Sequence, residues 1–135
     1  MKLVAVLAAL FVTATLADPG VAAAQKLKVG VVHLGSVADG GYNQAHAEGV
    51  AIMKRNLPEV EVISVENVPE GADAERVMEN MIQRGAKMII AASFGYLEPA
   101  LRVAQRHPDV KFSHPGGYKQ APNLTTYWAS TPEAF

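Results

Sequence analysis

Lys28-Val29-Gly30-Val31-Val32-His33-Leu34 (KVGVVHL) runs directly into Gly35-Ser36-Val37-Ala38-Asp39-Gly40-Gly41-Tyr42-Asn43 (GSVADGGYN), and a helical pattern begins near Asn43. The first stretch is rich in valine and almost continuously apolar. Strands buried on both faces read this way, whereas strands with one wet face alternate. A buried strand, a glycine-rich turn and a helix start predict the opening β-α unit of a parallel sheet. The same succession offers backbone N–H groups and the positive end of a helix to a small molecule. Glycines let the backbone approach a bound molecule without a Cβ in the way.

Downstream, the pattern continues in alternation. A helix is expected from about Asn43 to Arg55, with His46, Val50, Met53 and Leu57 on one face and Pro58 as its stop. Val60–Val65 (VEVISV) reads as a second strand. In the next helix Ala74, Val77, Met78, Met81 and Ile82 form one apolar stripe, with Arg84 in the last turn and Gly85 as the stop. Met88–Ala92 (MIIAA) is a third strand, and Ser93-Phe94-Gly95-Tyr96 turns out of it into a third helix that ends at His107-Pro108. Val110–Ser113 is a short fourth strand, followed by a His114–Tyr118 loop, and Asn123–Tyr127 reads as a fifth. The predicted fold is therefore an α/β doubly wound parallel sheet, with strand order 2-1-3-4-5.

In such sheets ligands bind beyond the carboxyl ends of the strands, where the strand order reverses. That places the Gly35–Asn43 and Ser93–Tyr96 loops at the crevice, with His114–Tyr118 beside them. Each loop carries Gly next to an aromatic residue. Within them, Asp39 either accepts hydrogen bonds from a ligand or satisfies the backbone of its own turn. Asn43 binds ligand or caps its helix. Tyr42 stacks on a planar ligand or staples the helix start. Phe94 is a ligand wall or a core lid. His46 reads as structural, and His33, His107 and His114 lack metal-ligand spacing. Trp128 reads as packing, and Lys54, Arg55, Arg102 and Arg106 as solvated faces.

Composition narrows the function classes. The chain has 135 residues, a formal net charge of −1, 19% charged residues and no cysteine. A basic stripe is absent, so nucleic acid is not an expected partner. Without cysteine there is no disulfide scaffold and no thiol chemistry. Met1-Lys2, the apolar run Leu3–Leu16 and Ala22-Ala23-Ala24 fit a secretory signal peptide over residues 1–24, with Gln25 the first mature residue. The apolar run is shorter than the ~20 residues a spanning helix needs. The mature chain is expected to be exported, without membrane insertion.

Three segments carry a family resemblance: KVGVVHLGSVADGGYNQAHAEG (Lys28–Gly49), VENVPEGADAERVMENMIQRGAKMIIAASFGY (Val65–Tyr96) and HPDVKFSHPGGY (His107–Tyr118). They resemble the basic membrane protein family of substrate-binding proteins, the purine-nucleoside receptor type of periplasmic binding protein. The resemblance implies a type I periplasmic-binding-protein lobe that gives a purine nucleoside or base to the permease of an ABC importer. It implies a periplasmic monomer with no cofactor, no metal and no catalysis. Carried over, it assigns ligand contact to Ser36, Asp39, Gly40, Gly41, Tyr42 and Asn43, and the opposite wall to Phe94 and Gly95. Tyr42 stands where relatives often have Trp or Phe.

The resemblance also implies two lobes with the ligand between them, and residues 25–135 correspond to most of the first. Ser130-Thr131-Pro132-Glu133 announces a helix just before the last residue, Phe135, as a shortened chain would. Two alternatives stand beside the binding protein. One is an exported α/β enzyme acting on nucleosides, such as a hydrolase. It would need several carboxylates, and Asp39 is the sole one in the three loops. The other is a truncated fragment without function.

Overall fold

The computed structural model describes residues 26–128; the expected signal peptide and the helix start at residues 130–133 lie outside them. The elements are β1 (Leu27–His33), α1 (Tyr42–Asn56), β2 (Val60–Val65), α2 (Ala72–Gln83), β3 (Met88–Ala92), a single 3-10 turn (Phe94–Tyr96), α3 (Leu97–Arg106), β4 (Lys111–Pro115) and β5 (Leu124–Tyr127). All neighbouring strands are parallel, in the order β2-β1-β3-β4-β5. The doubly wound sheet and its predicted order are both present.

β1 lies at the centre because its residues tolerate burial on both faces. Val29, Val31 and Val32 are buried, as is His33 at its end. On one face Val32, Ile63, Ile89, Ala91, Phe112 and Leu124 pack under Ala74, Met78 and Met81 of α2 and Ala100, Val103 and Ala104 of α3. Gly30 lets α2 sit close to the sheet. A Cβ there would meet Met81 Sδ at 2.6 Å and Ile89 Cδ1 at 2.7 Å. α2 and α3 are also laced together on the outside. Glu75 pairs with Arg102 and Arg106, and Glu79 with Arg106 and His107. Arg102 and Arg106 are thus held between two helices and are not simply solvated.

Among the described residues the opposite face carries α1 alone. A groove of about 190 Å³ runs along it, lined by Val31, Gly49, Val50, Met53, Ile90 and Tyr127 among others. α1 buries little: Asn43 is its one buried residue.

Two boundaries differ from the sequence reading. Arg84 caps α2 from outside, and Gly85 follows it at φ 95°, the left-handed conformation that glycine adopts freely. β4 runs on through His114 and Pro115, which pair with Thr126 and Tyr127 of β5. His114 is therefore a buried strand residue and not part of an exit loop. The β4–β5 return has no helix. Eight extended residues can span more than 25 Å, enough to run back along a short strand, and Asn123 fixes this return by donating from Nδ2 to the carbonyls of Ala104, His107 and Val110 at 2.8–3.0 Å.

Tyr96 is fully buried, and its hydroxyl donates to the Val68 carbonyl at 2.5 Å. This bond ties the turn after β3 to the loop after β2. Tyr96→Phe would keep the ring but leave a buried carbonyl without its partner, at a cost of about 1–2 kcal/mol. Urea denaturation checks this; an unchanged midpoint would contradict it.

Candidate functional site

The carboxyl ends of β1, β3, β4 and β5 form one edge of the sheet. Four segments decorate it: residues 34–41, 66–71, 93–96 and 116–118.

Residues 35–43 are closed into a knot by two side chains. Asp39 Oδ1 accepts from the amides of Gly41 (2.8 Å) and Gln44 (3.0 Å). Asp39 Oδ2 accepts from the Asn43 amide (3.2 Å) and from Asn43 Nδ2 (2.7 Å). These donors hold its carboxyl well below the usual carboxylate range, led by the Asn43 side chain and the Gly41 amide. Asn43 Oδ1 in turn accepts from the Gly35 amide at 3.2 Å. Asn43 lies within α1 and does not cap it; Asp39 supplies the acceptors for the helix start. Ser36 is exposed, and its hydroxyl accepts from the Ala38 amide at 3.2 Å. Gly40 sits at φ 69° and donates to Gln44 Oε1. Asp39, Gly40, Gly41 and Asn43 are thus brought together, chiefly to hold one another.

The second segment carries part of the family resemblance, but none of its residues is a site candidate in the sequence. To reach β3, the chain leaving β2 crosses the carboxyl end of β1, because β1 lies between them. There Val68 donates to the His33 carbonyl (3.1 Å) and Asn67 to the Gly35 carbonyl (3.3 Å). Two carboxylates come with it. Glu66 Oε2 accepts from the Val37 amide at 2.8 Å, and Glu70 Oε1 accepts from Ser93 Oγ at 2.8 Å. Asp39 is therefore not the lone carboxylate of the edge. The signal was present as ENVPEG, but its relevance depends on the crossing.

Aromatic rings make the rim. Tyr42 (51% exposed), Phe94 (58%), Tyr118 (66%), Tyr127 (47%) and Trp128 (70%) all lie on this edge. Tyr42 packs edge-on against His46 at 4.5 Å, and Phe94 lies 6.0 Å from Tyr118. A pocket of about 280 Å³ is lined by Tyr42, His46, Pro115, Gly116, Tyr127 and Trp128. Gly116 connects the two halves, since a Cβ on it would lie 3.9 Å from both Phe94 and Trp128. Tyr42 on one side and Phe94 on the other therefore belong to one rim. Trp128 contributes an exposed face, while its Nε1 donates to the Gly117 carbonyl at 3.1 Å. Tyr96, by contrast, is structural.

His33 and His114 are fully buried beneath this rim. His33 Nε2 lies 3.0 Å from Ser64 Oγ, but its Nδ1 and both ring nitrogens of His114 find no hydrogen-bond partner among the described residues. Burial pushes the pKa values of His33, His46 and His114 down, and proximity to His46 adds to the effect at His33. Neutral imidazoles therefore support the edge. Among the described residues no group of three His, Cys, Asp or Glu is placed to hold a metal ion, and no helix is long and apolar enough to cross a membrane. A pocket of about 370 Å³ at the opposite, amino end of the sheet is lined by Ala104, Pro108, Lys111, Pro122 and Asn123 among others, and none of the residues above reaches it.

A parallel sheet with an aromatic, partly acidic carboxyl edge is the architecture of a solute-binding lobe. A solved ABC transporter solute-binding protein from Conexibacter woesei superposes with a TM-score of 0.68 at 27% identity, over 76% of this chain and 35% of that one. The model of the Bmp family, described as PnrA-like ABC transporter substrate-binding protein, matches residues 26–134, and the chain belongs to that family. A purine-binding protein of Brucella abortus is 42% identical over 106 residues, which is 78% of this chain and 30% of that protein. A Haloferax volcanii protein, named for glucose binding in an ABC transporter, is 30% identical over 96 residues, 71% of this chain and 24% of that protein. The chain thus spans between about a quarter and a third of the length of these relatives.

Two outcomes follow from the geometry. Asp39→Ala would release the knot, seen as faster hydrogen exchange at the Gly41 and Gln44 amides; unchanged exchange would contradict its role. The histidines, whose folded pKa values are depressed, make the unfolded chain bind more protons below its own pKa near 6.5. Stability should therefore fall as pH drops from 7.5 to 5.5, a window above the carboxylates, and His33→Gln with His114→Gln should flatten that fall. Denaturant midpoints at the two pH values check it; a midpoint independent of pH would contradict it.

Proposed function

We propose that the chain supplies one wall of the ligand cleft in the extracytoplasmic substrate-binding component of an ABC importer. In this reading the ligand is a purine nucleoside or nucleobase-like molecule, and residues 25–135 are most of the first lobe of a two-lobed receptor. A signal peptide cleaved after Ala24 takes the chain to the periplasm, where it works as a monomer and hands ligand to the permease. It binds without turnover.

The observation that carries this reading is the rim itself. Five exposed aromatic rings converge on the one edge where a doubly wound sheet presents ligands. A flat, uncharged ring gains from stacking on such surfaces, at about 0.5–1.5 kcal/mol per aromatic pair beyond the area buried. The Asp39–Asn43 knot keeps Tyr42 in place at the start of α1. The purine-binding relative supports the same ligand class.

A neutral sugar is the second reading, supported by the relative named for glucose. Sugars present hydroxyls and a less extended flat face, so they would use the carboxylates more and the rim less.

Titration calorimetry against purine nucleosides, nucleobases and glucose tests these readings. Saturable heat with a purine, and recovery of that purine intact by chromatography, is the expected result. Phe94→Ala should weaken the purine about tenfold, the factor that about 1.4 kcal/mol represents. Heat with glucose alone would contradict the purine assignment, and release of free base would make the chain an enzyme.

A further inference from the structure

We propose that Glu70, rather than Asp39, is the carboxylate that reads the ligand, accepting hydrogen bonds from donor groups of a purine placed against Phe94. The inference rests on the reading of the carboxyl edge as a purine site.

A carboxylate has about four lone-pair positions. Those of Asp39 are taken by the amides of Gly41, Asn43 and Gln44 and by Asn43 Nδ2. Nothing is left for a ligand without opening the knot. Asn43 is buried, and its side chain is already engaged with Gly35 and Asp39. Glu70 differs. Its one hydrogen bond among the described residues is from Ser93 Oγ, at 2.8 Å. Ser93 is buried, so it anchors the carboxylate from below. The 3-10 turn that follows has no side chain bonded to its N-terminal amides, so Glu70 is not consumed as a helix cap.

Gly95 gives an independent sign of the placement. Its φ lies outside the left-handed region, so no backbone strain calls for glycine there. Space does: a Cβ on Gly95 would fall on the Glu70 carboxylate. Glycine costs stability inside a helical segment, and here its absent side chain leaves room for the Glu70 carboxylate next to the residue that follows Phe94. The carboxylate thus has a fixed anchor, free acceptor positions and an exposed aromatic neighbour. It suits a ligand with hydrogen-bond donors. In a purine nucleoside these are the exocyclic amine of the base or the hydroxyl pair of the ribose.

Glu70→Gln separates this role from a structural one. The amide can still accept from Ser93 but presents a donor to the ligand. Amide-resonance titrations of the chain with adenosine, 2′,3′-dideoxyadenosine and purine riboside measure Kd for each. Replacing Glu70 by Gln should raise the adenosine Kd about tenfold or more, as losing a hydrogen bond to a charged group does, with no change in denaturation midpoint. Gly95→Ala, which keeps the carboxylate but pushes it aside, should do the same. If the ribose is read, the wild-type preference for adenosine over the dideoxy analogue disappears in the variants. If the amine is read, the preference over purine riboside disappears. A wild-type Kd in Glu70→Gln would overturn the proposal, as would an equal loss for all three ligands with a lowered midpoint. Failure of the wild-type chain to bind any of the three would overturn the purine reading itself.

Discussion

Val68 donates its amide to the carbonyl of His33 and accepts the hydroxyl of Tyr96 on its own carbonyl. Through one buried residue the end of β1, the loop after β2 and the turn after β3 are bound together. The strand order imposes this arrangement. A chain that leaves β2 for β3 must pass over β1, and its backbone polar groups need partners where it crosses. His33 and Gly35 supply those partners, and the crossing segment brings Glu66 and Glu70 to the carboxyl edge. The site is therefore not two loops facing each other across a gap. It is a continuous surface whose middle is laid down by the connection between outer and inner strands.

The division of labour on that surface follows from the hydrogen-bond capacity of each group. Asp39 and Asn43 spend their capacity on the turn they occupy, which makes the loop rigid and leaves Tyr42 as its outward element. Across Gly116, Phe94 and Trp128 extend the rim on the other side. Below it, neutral histidines at the ends of β1 and β4 fill space without bringing charge. An apolar, aromatic surface over uncharged supports favours a flat neutral molecule, because no buried charge has to be matched. The acidic groups Glu66 and Glu70 stand at the margin of that surface.

Much of the fold was legible. β2 and β3 fall on the residues read from VEVISV and MIIAA, since Pro and Gly punctuate both sides of each run. The stripe of α2 was legible because Ala74, Met78 and Met81 repeat at helical spacing and face one core. β4 was read short, because His114-Pro115-Gly116 looks like a turn. Pairing with β5, which local pattern does not reveal, carries the strand through Pro115. Arg102 and Arg106 read as solvated because their carboxylate partners lie on another helix. In the site, the sequence marked the two loops and their aromatics, which the structure brings to one edge, and passed over Glu66 and Glu70, which the crossing segment brings there as well. Asp39 stood out beside its glycines, although what it does there is local. Glu70 lies in a loop whose place at this edge comes from topology. Trp128 read as packing, yet its ring is the most exposed of the rim.

The central claim is that ligand lies on the aromatic carboxyl edge. The most direct test is a crystal structure of the chain grown with saturating adenosine. The account predicts the base against the rim formed by Tyr42, Phe94 and Trp128, with the Glu70 carboxylate within hydrogen-bond distance of an amine or hydroxyl donor. Adenosine seated in the pocket at the amino end, among Ala104, Pro108 and Asn123, with the rim bare, would contradict it.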